Sequence, residues 1–261
     1  MSIEPLLAQS ERAGLFVDFD GTLAHIVDVP SAARPASGAA EALATLAEHL
    51  SIVAVVSGRA TEELVQHLGG DLEIWGVHGA ERATRGRIEV APEVRDFIPV
   101  FQRARAAAEV SLRHPAFDGC FVEDKRVAIA LHYRRATARG AAEALAALAD
   151  RLASDNGLIR TDAKMAFELR APVEISKGSV VLRRAREKDL AAVAFLGDDV
   201  VDLAAFDALD ELGAEGRYAL RVAVDSDEAP PELLARADEV VAGVDAAVDW
   251  ITQLARRVAE A

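Results

Sequence analysis

Five residues near the start of the chain, Asp18-Phe19-Asp20-Gly21-Thr22, set two carboxylates two positions apart where the apolar run Gly14-Leu15-Phe16-Val17 ends. Residues i and i+2 of a strand share a face, so this spacing lets both acids leave a sheet together, one to attack and one to handle a proton. An aspartate attacks a phosphate poorly unless cations offset the repulsion between like charges. The motif therefore predicts phosphoryl transfer through an aspartyl phosphate, with a bound Mg²⁺ and a nearby Lys or Arg. The same residues also suit an ordinary turn formed by Asp20 and Gly21.

Three further groups could complete such chemistry. Ser57-Gly58-Arg59 follows the apolar run Ile52 to Val56, which places a hydroxyl, backbone N–H groups and a guanidinium at a strand's carboxyl end, a good seat for phosphate. Lys177 opens a helical stretch, where a cation opposes the macrodipole by about 0.3–1 kcal/mol and calls for an anionic partner. Gly197-Asp198-Asp199 and Asp202 put three acids directly after the apolar run Ala191 to Leu196. Carboxylates crowded together call for a divalent cation, and an all-oxygen set favours Mg²⁺. Helix capping accounts for one of these acids, not for all three.

The elements that must position these groups follow a βα alternation. Leu15 to Val17, a helix near Ser37 to Leu50, the strand Ile52 to Val56, a helix from Thr61 to Leu68 and a strand from Glu73 to Val77 make the βαβ pattern of a parallel sheet. A hairpin over Arg82 to Val90 turns at Arg85-Gly86. From Glu93 to about Arg170 the order changes to helix, two strands around Cys120 to Tyr133, a helix near Thr137 to Ala153, and two strands around Gly157 to Arg170. After Lys177 the alternation resumes with a helix to Glu187, a strand at Ala191 to Leu196, a helix from Val200 and a strand at Arg221 to Val224. The expected fold class is α/β, a Rossmann-like parallel-sheet core over residues 1–92 and 171–261, interrupted by an α+β cap over 93–170.

Composition narrows the partners. The chain has 261 residues, about half of them apolar, enough to bury a full core. A net charge of -14 argues against a general nucleic-acid or anionic-membrane binder, so an anionic substrate would need local cations. The single cysteine, Cys120, excludes an intrachain disulfide and is expected to be a buried small hydrophobe. No Cys/His pair has zinc-ligand spacing. Met1 to Gly14 lacks a basic start and a long apolar stretch, so a cytoplasmic location is the default expectation; a monomer is expected as a separate matter.

In this order and spacing, the motifs built on Asp18, Asp20, Ser57, Lys177 and Asp198 resemble those of the haloacid dehalogenase-type phosphatases. Within them, the chain is similar to the trehalose-6-phosphate phosphatases. That closer resemblance rests on Asp18 to Leu23 followed by Ile26 and Pro30, on Gly76-Val77-His78-Gly79-Ala80-Glu81, on Glu123-Asp124-Lys125 with His132-Tyr133-Arg134, and on Lys164 with Glu168-Leu169-Arg170. It implies that Asp18 attacks phosphorus, that Asp20 protonates the leaving oxygen and then activates water, and that Ser57 and Lys177 hold the phosphoryl oxygens. Asp18, the Asp20 main-chain carbonyl and Asp198 would hold Mg²⁺. Arg59 and His78 are further phosphate or substrate contacts, and Glu123, Lys125, Arg134, Lys164 and Glu168 would bind sugar hydroxyls.

The chain departs from the family where Val201 and Leu203 replace the Thr and Glu of the last motif, and where Ala171 replaces a proline. Groups that orient metal ligands commonly affect affinity or activity about 10–100-fold. The residues also leave open a phosphatase of another sugar phosphate, such as a glucosylglycerol or glycosylglycerate phosphate. A sugar-phosphate-binding regulator without turnover is the other alternative.

Overall fold

The computed structural model describes residues 3–27, 32–69, 72–163, 165–226 and 229–260. The chain divides into two compact units, Met1–Glu89 with Ile175–Ala261, and Val90–Glu174.

The strands in chain order are β1 (Ala13–Val17), β2 (Ile52–Val56), β3 (Glu73–Gly76), β4 (Glu81–Thr84), β5 (Arg87–Val90), β6 (Phe121–Asp124), β7 (Ile129–His132), β8 (Ile159–Ala163), β9 (Ala166–Arg170), β10 (Ala192–Gly197), β11 (Tyr218–Asp225) and β12 (Glu239–Ala242). Among the described residues, the first unit holds an eight-stranded sheet in the order β12-β11-β10-β1-β2-β3-β4-β5. From β12 to β3 every pairing is parallel, and β4 turns antiparallel on β3. This is the expected α/β architecture with a parallel-sheet core.

The central strands read as unbroken apolar runs because both sheet faces are covered. Leu15 and Val17 of β1 face one cluster with Leu43 and Leu46 of helix Ala39–His49 and Ile251 and Leu254 of helix Gly243–Ala259. Phe16, one residue out of phase, joins Val180 and Val181 of helix Lys177–Glu187 and Phe206 and Leu209 of helix Leu203–Ala214 on the opposite face. Each such Leu or Phe contributes about 1.5–3 kcal/mol by leaving water. β12 and helix Gly243–Ala259 extend the alternation past Val224, where the sequence reading ended.

The second unit folds around an antiparallel sheet in the order β6-β7-β9-β8. Val122, Leu131 and Phe167 alternate with the polar positions, and helices Ile98–Ser111 and Ala141–Asn156 belong to the same unit. Pro92, expected to close the first segment, opens the short helix Pro92–Arg95. Cys120 is half-buried rather than enclosed. Among the described residues, no helix is long and apolar enough to cross a membrane.

Candidate active site

The chain winds from β1 through β2 to β3 on one side and returns through β10 to β11 on the other. The carboxyl ends of β1 and β10 therefore meet where the strand order reverses, the place where open α/β sheets bind ligands. The register pairs Val17 with both Leu196 and Val55. Asp18, Ser57 and Asp198 thus emerge from three neighbouring strands at one end of the sheet.

Lys177 ties the first and last of these motifs together. Ser176 caps its helix, accepting from the Ser179 amide at 3.2 Å while Ser179 Oγ accepts from the Ser176 amide at 3.0 Å. That cap sends the Lys177 side chain inward at the helix start, where Nζ lies 2.7 Å from Asp18 Oδ1 and 2.6 Å from Asp202 Oδ1. The anionic partners expected for this lysine are these two aspartates. Asp202 is fully buried and its Oδ2 also accepts from the amides of Asp198 and Asp199, each at 3.0 Å. It is held by main-chain donors and Lys177, contacts that do not involve the side chains of Val201 and Leu203.

Asp18, Asp198 and Asp202 are all buried, and one carboxylate oxygen from each lies within 4.8 Å of the others. Three carboxyl groups facing one ammonium carry more negative than positive charge unless a proton or a cation joins them. Burial pushes the Asp18 carboxyl well above its ordinary value, Lys177 pulls it down, and Asp202 and Asp198 add to the rise. For Lys177, burial opposes the charge, but Asp18 and Asp202 outweigh it and raise the ammonium above the usual lysine value. The lysine therefore stays charged and the surplus negative charge rests on the carboxylates. A hard divalent cation fits this charge and this all-oxygen donor set. Gly21 makes the approach possible, since its φ is +78° and a Cβ there would stand 2.0 Å from Asp198 Oδ2.

Asp20 is engaged elsewhere. β1 ends at Val17, and the Asp20 carboxylate accepts from Arg59 Nε at 2.7 Å and Nη2 at 2.8 Å. The remaining guanidinium nitrogen, Nη1, donates to Glu63. The Arg59 guanidinium lies 5.2 Å from the Phe19 ring centre. Glu63 is a residue that sequence reasoning missed; its signal was an acid four positions beyond Arg59, indistinguishable from an ordinary first-turn glutamate.

The Ser57–Arg59 loop is braced by an unusual backbone. Val77 and His78 both adopt positive φ, 48° and 58°. Their amides donate to the carbonyls of Arg59 at 2.9 Å and Ser57 at 2.8 Å. Ser57 is buried and its Oγ accepts from the Arg59 amide at 3.2 Å. The His78 ring lies against Gly58, where a Cβ would come within 2.8 Å of it.

In the second unit, β6 and β9 flank β7 so that Glu123 and Glu168 both pair with Ala130 and share one face. Lys125 Nζ lies 3.0 Å from Glu168 Oε1, and His132 Nε2 lies 2.7 Å from Glu123 Oε2. His132, which the sequence reading left without a role, stacks on Phe121 at 4.6 Å. Burial raises the Glu123 carboxyl, but the His132 hydrogen bond and Lys125 bring it below its ordinary value. Arg134 follows β7 half-buried. Lys164 lies outside the described residues, as does Pro30 of the first motif.

Comparison with known proteins settles the family. Residues 16–232 match the trehalose-phosphatase family. The chain belongs to the trehalose-phosphatase family. A trehalose-phosphate phosphatase of Mycolicibacterium paratuberculosis is 39% identical over 205 residues, which cover 75% of this chain and 51% of that protein. One of Mycobacterium tuberculosis is 36% identical over 236 residues, 87% of this chain and 58% of that protein. The chain thus spans about half the length of the curated relatives it matches. A crystal structure of a trehalose-6-phosphate phosphatase related protein superposes with a TM-score of 0.80 at 25% identity, covering 95% of this chain and 99% of that one.

Proposed function

We propose that this trehalose phosphatase family member is a Mg²⁺-dependent phosphoric monoester hydrolase that cleaves trehalose 6-phosphate to trehalose and phosphate. The observation that carries the reading is Asp18, buried at the end of β1 and held by Lys177 within a three-aspartate cluster.

In the first half of the reaction an Asp18 carboxylate oxygen bonds to phosphorus, the ester P–O bond breaks with its electron pair on the sugar oxygen, and that oxygen takes the Asp20 proton. In the second half, water attacks the phosphorus of the aspartyl phosphate while Asp20 accepts its proton, returning Asp18 as carboxylate and releasing phosphate. Lys177 and Ser57 hold the phosphoryl oxygens. Asp18, Asp198 and the Asp20 carbonyl would hold Mg²⁺, whose contribution when bound is to offset negative charge on the phosphoryl group. Glu123, Lys125, Arg134, Lys164 and Glu168 are assigned to sugar hydroxyls; the shared face of Glu123 and Glu168, with Lys125 between carboxylates, supports donors and acceptors set side by side. His78 supports the phosphate loop from beneath Gly58.

Phosphate release from trehalose 6-phosphate, glucose 6-phosphate and sucrose 6-phosphate, each with Mg²⁺ and with a chelator, tests this. A chelator-sensitive preference for trehalose 6-phosphate that vanishes in Asp18→Asn is expected. Full activity of Asp18→Asn would sink the covalent route, and preference for another ester would move the substrate.

A further inference from the structure

Asp20 is the more exposed member of its ion pair, with 37% of its side chain open against 8% for Arg59. An aspartate that open has several staggered side-chain positions available, and proton transfer to a leaving oxygen tolerates few of them. Arg59 removes this freedom. Its Nε and Nη2 fork meets both Asp20 oxygens, at 2.7 and 2.8 Å, the two-point geometry that fixes a carboxylate's plane as well as its distance. The guanidinium is itself fixed by Glu63 at Nη1 and by the Phe19 ring 5.2 Å below. Its backbone belongs to the phosphate loop, through the Ser57 hydroxyl and the Val77 amide.

We infer that Arg59, backed by Glu63 and Phe19, is a positioning residue that sets the Asp20 carboxyl for proton transfer to the leaving oxygen. This rests on the phosphatase reading above. The orientation of the fork favours it over a direct phosphate contact, since Nε and Nη2 face Asp20 and Nη1 faces Glu63.

Leaving groups separate the two roles. A sugar alkoxide needs a proton as the P–O bond breaks, whereas p-nitrophenolate leaves without one. The ratio kcat/KM reports only the steps through leaving-group departure, so it isolates the acid role of Asp20 from its later role as base. The experiment compares kcat/KM for trehalose 6-phosphate and p-nitrophenyl phosphate in the wild-type chain, Arg59→Met, Arg59→Lys and Glu63→Gln, all with Mg²⁺. Positioned general acids contribute about 10²–10⁴-fold. Arg59→Met is expected to lose about 100-fold on the sugar ester and little on the aryl ester. Arg59→Lys, which keeps the charge without the fork, and Glu63→Gln are expected to show smaller losses with the same selectivity. Should Arg59→Met fail to fold, those two carry the comparison. Equal losses on both esters, or no loss on either, overturn the inference while leaving the phosphatase reading intact. A folded wild-type chain that hydrolyses neither ester overturns both.

Discussion

Lys177 holds its Nζ 2.7 Å from Asp18 Oδ1 in a setting where the two side chains are 1% and 6% exposed. A surface pair of that length would contribute under about 1 kcal/mol. Here the ammonium also serves Asp202, which is fully buried, so deleting it strands two carboxylates away from water. Lys177→Met is expected to cost about 3–5 kcal/mol, read from urea unfolding without metal. Asp18→Asn leaves Lys177 with Asp202 and removes one of three crowded charges, so it is expected to cost clearly less. Equal losses would show that this pairing does not govern local stability.

Charge balance at the same place makes a second expectation. The three acids Asp18, Asp198 and Asp202 crowd around the single Lys177 ammonium, and a divalent cation binding only the folded chain would relieve that excess of negative charge. At about 100 times its dissociation constant such an ion stabilises by about 2.7 kcal/mol, a rise of several degrees in Tm. Calorimetry with Mg²⁺ and after chelation measures it. Asp198→Asn is expected to shrink the shift, and a full shift in that variant would place the cation elsewhere.

Which parts of this were legible in the sequence follows from the range of the signals. Asp18, Ser57 and Asp198 each stand at the junction of an apolar run and a polar turn, a local pattern, and a parallel sheet gathers such junctions at one end; Lys177 was legible as a cation at a helix start. The trehalose-phosphatase resemblance was legible for the same reason. The division of Asp202 between Lys177 and two main-chain amides was not, because it depends on a helix start 25 positions away coming alongside. Glu63 reads as an ordinary first-turn acid until Arg59 is seen to need a second anchor. The paired positive φ values of Val77 and His78 had no signal either, since a β-branched residue is a poor guess for that conformation. β12 was lost for a simpler reason: Glu239-Val-Val-Ala is short and half-exposed, so no apolar run marks it.

The second unit carries a pH expectation. With His132 donating to Glu123, the Glu123 carboxyl lies below its ordinary value in the folded state. A depressed acid contributes stability above its unfolded pKa and loses it as pH falls through the folded value. The wild-type chain should therefore weaken as pH falls below the ordinary carboxylate range, and His132→Gln, which lacks the imidazole, should weaken less steeply over that interval. Urea midpoints of both proteins between pH 3 and 6 give the slopes; parallel curves would mean the pair makes no difference between folded and unfolded states.

The Ser57–Arg59 loop offers a test of packing. A Cβ at Gly58 would come 2.8 Å from the His78 ring, closer than real side chains tolerate. The main chain cannot retreat, because the His78 amide is tied to the Ser57 carbonyl at 2.8 Å and the Val77 amide to the Arg59 carbonyl at 2.9 Å, so relief must come from rotation of the ring. Gly58→Ala is therefore expected to destabilise by about 1–3 kcal/mol, as overpacking does, and to shift the loop that holds Ser57. Removing the ring removes the clash, so Gly58→Ala with His78→Ala should recover much of that loss, giving a coupling between the sites of about 0.5–3 kcal/mol. Unfolding of the two single variants and the double variant measures it. Strict additivity would mean that the His78 ring does not set the room available at Gly58.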